Sequence, residues 1–296
     1  MKVSYYPGCT LKTKAMNLDV SARRAMEVLG VEMEELPRWN CCGAVYSLTD
    51  DDLIHQIAPV RVLARALEQG SDQLLTLCPM CYNTLARANL LMRTDEEKRH
   101  TINSFMEEEP DYHGEVEVLH LLGFLKNQIG WDAVREKITT PLTGLKLAPY
   151  YGCTLLRPEE VAIESPQNPA LFGELMEVLG AQAVHTPTSA DCCGSYQVIG
   201  NPLAATAACA RILHTALDRG ANGLVVTCPL CDYNLNVNQR KLSEGTGAPA
   251  ELPIVYMTQL LAVAFGLDPE VCHFELNHPS TRKLLEAEKL IAAQPG

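Results

Sequence analysis

At 296 residues, with 47% apolar and 20% charged side chains, the chain has the composition of a folded protein with room for two ordinary domains, which argues against disorder. A formal charge of −12 opposes binding to phosphate backbones and argues against a nucleic-acid partner. No apolar run approaches the roughly 18 residues that cross a bilayer, and the start leads into a cysteine motif rather than a signal peptide, so the expected location is the cytoplasm.

In chain order, the first predicted strand, Lys2–Tyr6, ends at Pro7-Gly8-Cys9-Thr10. A helix closing on Met26-Glu27-Val28-Leu29-Gly30 leads to an extended segment over 32–36 and then to Asn40-Cys41-Cys42-Gly43. The next helix closes on Ala66-Leu67-Glu68-Gln69-Gly70, and a strand over 73–77 runs into Cys78-Pro79-Met80-Cys81, whose proline predicts a helix start. Glu107-Glu108-Glu109-Pro110 reads as an exposed loop, 116–119 as the last strand of this half, and 130–144 as a linker whose first residues can be helical.

The order then repeats. A strand over 145–150 meets Tyr151-Gly152-Cys153-Thr154. The following helix has Asn168 as cap, Pro169 at its first position, one face made of Leu171, Phe172, Leu175, Met176 and Leu179, and Gly180 at its end. Asp191-Cys192-Cys193-Gly194 precedes a helix with Asn201 as cap, Pro202 at its start and Gly220 at its end. A strand over 223–227 runs into Cys228-Pro229-Leu230-Cys231, and Ile254–Tyr256 reads as the last strand. A helix over 280–293 has no counterpart in the first copy.

This repeat, displaced by about 150 residues, is too long for a solenoid unit and marks a duplicated domain. The predicted fold class is α/β: two pseudo-symmetric repeats of a mostly parallel sheet flanked by helices, with domains over 1–140 and 141–296, the second carrying the extra C-terminal helix. In such sheets ligands bind beyond the carboxyl ends of the strands, and every cysteine motif follows a strand.

Ten of the twelve cysteines form two pentads: Cys9, Cys41, Cys42, Cys78 and Cys81, then Cys153, Cys192, Cys193, Cys228 and Cys231. In a reducing compartment such thiols point to metal or redox chemistry rather than structural disulfides. The two thiols of each C-P-x-C lie three residues apart at a helix start, on one face and near the positive end of the helix dipole, which favours the thiolate. A zinc site takes four ligands and leaves one thiol over in each half, and adjacent cysteines suit one tetrahedral ion poorly. Several iron atoms accommodate five thiolates more readily, so the arithmetic favours polynuclear iron–sulfur, with zinc and a metal-free thiol–disulfide exchanger as the alternatives. Cys209 and Cys272 have no echo in the other half and read as buried core thiols.

The doubled pattern C…CCG…CPxC resembles the cysteine-rich CCG family, and its two-copy, full-length arrangement over residues 1 to about 265 is most similar to the B-type subunits of heterodisulfide reductases. The resemblance implies that each pentad holds a noncubane 4Fe-4S cluster through all five cysteines, two clusters in all. It implies reductive cleavage of a disulfide, such as the coenzyme M–coenzyme B heterodisulfide of methanogenesis, between those clusters. It further implies a complex containing a subunit with cubane clusters, a flavin subunit, and in some cases a hydrogenase or formate dehydrogenase, in electron-bifurcating assemblies. The alternative, carried by other CCG-containing proteins, is an electron-transfer subunit of a hydroxy-acid oxidase or of a quinone-linked complex.

The chain has neither a C-x-x-C-x-x-C run nor a G-x-G-x-x-G loop, so its electrons come from elsewhere. Lys12, Lys14 and Arg157 follow the first cysteines of the pentads and could meet an anionic substrate, or be solvated surface charge. Thr10 and Thr154 could donate to cluster sulfur or only to their own turns. His185 is the histidine nearest a motif, and a surface role is the competing account.

Overall fold

In the computed structural model, which describes residues 1–44, 53–243 and 251–293, the predicted α/β repeat is the observed fold. The intervening parts of both expected domains, and residues 294–296 at the end of the second, lie outside the described residues. The first sheet contains β1 (Lys2–Tyr6), β2 (Glu32–Glu35), β3 (Gln73–Thr76) and β4 (Glu117–His120) in the order β2-β1-β3-β4. The second contains β5 (Lys146–Pro149), β6 (Gln182–Ala183), β7 (Gly223–Val226) and β8 (Ile254–Tyr256) in the order β6-β5-β7-β8. Every pairing is parallel. Helices cover the sheets, so β7 and β8 are buried throughout and read as unbroken apolar runs rather than alternating ones.

The strand order places the thiols. The chain leaves β1 for β2 on one side and returns to β3 on the other, which opens a crevice at the carboxyl ends of β1 and β3. Cys9 follows β1 and Cys78 follows β3, so residues far apart in sequence meet at that crevice. Cys153 and Cys228 occupy the same positions after β5 and β7.

The halves pack reciprocally. The first long helix of the first half, Met16–Val28, lies on Met257–Ala264, the helix after the last strand of the second half. Ser21 and Thr258 share a hydroxyl contact of 2.7 Å there, and Asn17 donates to Asn277 at 3.0 Å. Conversely, the helix Leu171–Val178 of the second half packs on Leu121–Phe124 after β4. The expected linker is tied down: its short helix Trp131–Glu136 precedes Thr139 and Thr140, whose amides both bond to the carbonyl of Ala264.

Three local expectations are corrected. Asn168 and Pro169 do not open their helix, which begins at Leu171. The Glu164 carboxylate caps it instead, accepting from the amides of Ala170 at 2.8 Å and Leu171 at 3.0 Å, while Tyr151 donates to the same carboxylate. A charged acceptor satisfies orphan amides better than an amide side chain does, so the cap comes from further up the chain. Glu109 is not an exposed loop residue: its side chain is buried against Arg65 at 2.6 Å. The C-terminal helix stops at Ala287 and covers the second sheet, with Thr281 bonded to the Ile254 carbonyl at 2.7 Å. Replacing Glu164 by alanine is expected to cost about 2 kcal/mol through the uncapped amides, read as a lower urea midpoint at unchanged slope.

Candidate metal centre

The Pro79–Thr94 helix starts at the predicted proline, with Cys78 as its cap residue and Cys81 in its first turn; Cys228 and Cys231 stand likewise on Pro229–Ser243. Within the first half the sulfurs of Cys9 and Cys41 lie 3.7 Å apart and those of Cys42 and Cys81 3.6 Å apart; in the second, Cys193 and Cys231 are 3.5 Å apart. Cys41 also meets Cys42, Cys81 meets Cys78, and the mirror contacts join Cys231 to Cys228, and Cys193 to Cys192 and on to Cys153. Across the pseudo-twofold, Cys78 and Cys228 lie close enough for each thiol to shift the acidity of the other. Ten thiols thus form one continuous string, Cys9-41-42-81-78 joined to Cys228-231-193-192-153.

Among the described residues, no three His, Cys, Asp or Glu side chains surround a common point suited to one metal ion. The sulfurs form a string instead of a tetrahedron. Thiol-to-thiol bonding also splits their acidities. Donation from Cys41 holds Cys42 well below the ordinary thiol range, Cys228 does the same for Cys78, and Cys153 brings Cys192 down to about 2. These are thiols poised as thiolates, the form that ligates metal.

Two devices around the pentads escape a reading by cysteine spacing. The Tyr6 hydroxyl donates to the Asn40 carbonyl at 2.8 Å, and Tyr150 donates to the Asp191 carbonyl at 2.6 Å, so each tyrosine fixes the residue immediately before its Cys-Cys pair. A signal for them exists in the chain: each tyrosine stands three residues before the first cysteine of its pentad. Replacing Tyr150 by phenylalanine is expected to cost about 1 kcal/mol and raise amide hydrogen exchange at Cys192 and Cys193 roughly fivefold. The second is an asparagine in the first two turns of each C-P-x-C helix, at different positions: Asn83, two residues after Cys81, donates across the halves to the Thr154 carbonyl, and Asn234, three residues after Cys231, donates to the Ser195 carbonyl at 2.9 Å and lies 3.5 Å from the Cys193 sulfur.

The remaining predicted residues separate. Lys12 is paired with Glu35, and Arg157 donates to the Ala190 carbonyl at 2.9 Å. Lys14 lines a cavity beside the first pentad. The Thr10 hydroxyl sits 3.8 Å from the Cys9 sulfur, whereas Thr154 is buried with its carbonyl accepting from Asn83. His185 is exposed beside Gly173, on the flank of the Leu171–Val178 helix, and the surface account holds. Cys209 and Cys272 are fully buried core thiols as expected, with Cys209 donating to the Cys193 carbonyl at 3.2 Å.

The cavity measures about 830 Å³ and has mostly apolar walls. It reaches the first pentad from one side, Asp232 and Tyr256 of the second half from another, and Leu276 to His278 of the C-terminal extension. Asp232 lines this space and is half-buried there, and burial pushes its carboxyl up to about 7 despite hydrogen bonds from Tyr256 and Asn236.

A duplicated parallel α/β fold with paired thiol pentads at its strand ends defines a cysteine-rich two-site protein. The cysteine-rich domain model named CCG matches residues 3–86 and 147–236, and the chain belongs to that family. It is 32% identical to the 8-methylmenaquinol:fumarate reductase membrane anchor subunit of Wolinella succinogenes, over 97% of this chain and 98% of that protein. It is 30% identical to the B-type subunit of the ferredoxin/F420H2-dependent CoB-CoM heterodisulfide reductase of Methanosarcina acetivorans, over 93% of each chain. A crystal structure of a hypothetical protein from Helicobacter pylori shares the fold, with a TM-score of 0.72 at 14% identity, covering 93% of this chain and about half (51%) of that one. Among the described residues, no helix is long and apolar enough to cross a membrane.

Proposed function

We propose that this chain is the iron–sulfur subunit of a heterodisulfide reductase-type complex, in which a small-molecule disulfide is reduced by two electrons and two protons to two thiols. The observation that carries the reading is the joined string of ten thiols, which makes one two-centre unit of both halves next to a cavity of small-molecule size.

The donor set suits the group: each pentad is all soft sulfur, with its C-P-x-C thiols and the second thiol of its Cys-Cys pair buried. In this proposal Cys9, Cys41, Cys42, Cys78 and Cys81 hold one noncubane 4Fe-4S cluster, and Cys153, Cys192, Cys193, Cys228 and Cys231 hold the other. Bound clusters of this kind would supply one-electron steps, and two of them match the two electrons that a disulfide takes up. The protein's own part is to fix the thiol string through Tyr6 and Tyr150 and to keep the C-P-x-C thiols away from water. The proposal also divides the chain into domains over 1–140 and 141–296. It places the chain in the cytoplasm, supplied with electrons by a cubane-cluster subunit and a flavin subunit.

A second reading has a specific observation in its favour. The 32% identical relative is named as part of a quinol-linked fumarate reductase, and the cavity walls are mostly apolar, as a quinone ring requires. One experiment tests both. The native complex is isolated anaerobically, its iron and sulfide are measured, and reduced methyl viologen is offered with either a disulfide or a quinone as acceptor. Disulfide-dependent oxidation of the viologen supports the first reading, and quinone-dependent oxidation alone replaces it with the second. Protein holding zinc and no iron removes both.

A further inference from the structure

The duplication is broken around the metal centre, and the break is the same at several places. Beside the first pentad lies the cavity of about 830 Å³, within the range of small-molecule sites. At the matching place a cavity of about 510 Å³ is lined by Tyr82, Ala86 and Val161 but by none of the cysteines of the second pentad, because the chain crosses between them. There the stretch between Cys153 and the Leu171 helix is longer than its counterpart between Cys9 and the Met16 helix, and it folds onto the Pro79–Thr94 helix. Tyr82 donates to the Val161 carbonyl at 3.0 Å, and the Asn83 amide donates to the carbonyls of Thr154 at 2.9 Å and Arg157 at 2.7 Å.

The side chains at symmetry-related positions differ accordingly. Tyr82 follows Cys81 and His120 ends β4; these two rings meet edge-on at 5.9 Å. Their counterparts are Asp232, after Cys231, and Tyr256, at the end of β8, which line the cavity and are hydrogen-bonded to each other. The Asn236 amide donates to Asp232 at 2.8 Å, and its own carbonyl oxygen is buried without a partner. Lys14 lines the same space and forms no ion pair among the described residues, in contrast to Lys12.

We propose that recognition at the thiol string is one-sided: the ligand seats in the cavity beside the first pentad. The ligand is a small, largely apolar molecule with one anionic group held by Lys14 and one hydrogen-bonding group held by Asp232, Tyr256 and Asn236. This inference rests on the reading of the pentads as iron–sulfur sites only for the chemistry; the binding itself is a property of the chain. It accounts for the asymmetry of a duplicated protein by assigning recognition to one side of the pseudo-twofold. The C-terminal extension, absent from the first half, supplies the outer wall through Leu276 and His278.

The test is anaerobic calorimetry on the metal-loaded protein with 4-mercaptobenzoate, and with uncharged 4-methylbenzenethiol beside it. One equivalent of 4-mercaptobenzoate is expected to bind per chain. Lys14→Ala weakens its binding about tenfold and leaves the uncharged thiol unaffected. Tyr256→Phe weakens both probes several-fold, and Leu276→Trp, made at a partly exposed wall position, blocks both by filling the space. Tyr82→Phe and Arg157→Ala, on the other side of the pseudo-twofold, change neither. Two equivalents per chain, or binding untouched by both Leu276→Trp and Tyr256→Phe, overturns the inference, as does no binding to protein whose iron is complete. Iron analysis of the same sample keeps this result apart from the iron–sulfur reading: iron-free protein that still binds one probe at Lys14 refutes that reading and leaves the site.

Discussion

Replacing Cys78 by alanine is expected to remove roughly half of the iron and sulfide of the anaerobically prepared chain and to abolish two-electron turnover. Cys78 occupies the middle of the thiol string, beside Cys81 on its own side and Cys228 across the pseudo-twofold. It is buried, and it stands at the N-cap position of the helix that presents Cys81 without a side-chain capping bond, so its replacement leaves that helix start intact. Its loss therefore removes a donor and breaks the junction between the halves, while the second pentad keeps its five thiols. Cys272→Ala is the control, because that thiol is equally buried but bonds to the Gln259 carbonyl, away from the pentads. Full iron retention in the Cys78 variant would remove this thiol from the donor set. Loss of iron in the Cys272 variant would mean that general unfolding was being read.

The Gly8→Ala variant is expected to lose about 3 kcal/mol of stability and to fail to load the first site, for a reason that Gly30→Ala isolates. Both glycines have φ near +72°, where an L side chain costs roughly 1–2 kcal/mol. At Gly30 an added Cβ meets nothing within 4 Å, so only that backbone cost applies. At Gly8 the Cβ would fall 2.9 Å from the Cys81 sulfur, closer than packed atoms come, and the turn carrying Cys9 must move away from Cys81. The difference between the two variants in urea denaturation of metal-free protein gives the steric part alone. Iron content then shows whether the close approach serves the site. Equal losses of stability in both variants would show that the glycine before the first cysteine is there only for its backbone.

Much of the fold is legible along the chain because its signals are local. Strand runs such as Lys2–Tyr6, proline at the start of Pro79–Thr94, and the Asn201 cap with Pro202 each depend on a few neighbouring residues, and the structure keeps them. The expected cap at Asn168 fails for the opposite reason. The Glu164 carboxylate reaches the first amides of the helix from outside the window in which a cap is sought, and a charged acceptor prevails. Glu109 reads as exposed because Arg65, which buries it, lies far away in sequence. Of the three cations expected near substrate, only Lys14 lines the cavity, since Lys12 and Arg157 are held by Glu35 and the Ala190 carbonyl.

The sequence by itself determined the duplication, the parallel α/β class and the grouping of ten cysteines into two pentads, because each is a pattern of residue types at fixed spacing. Only the tertiary structure decided that the pentads meet at Cys78 and Cys228, and that Asp232 and Tyr256 line the cavity beside the first pentad while their counterparts Tyr82 and His120 pack edge-on. Those facts depend on how two similar halves pack against each other. That packing is set by side-chain volume and by the paths of the segments between the motifs, which spacing along one chain does not encode.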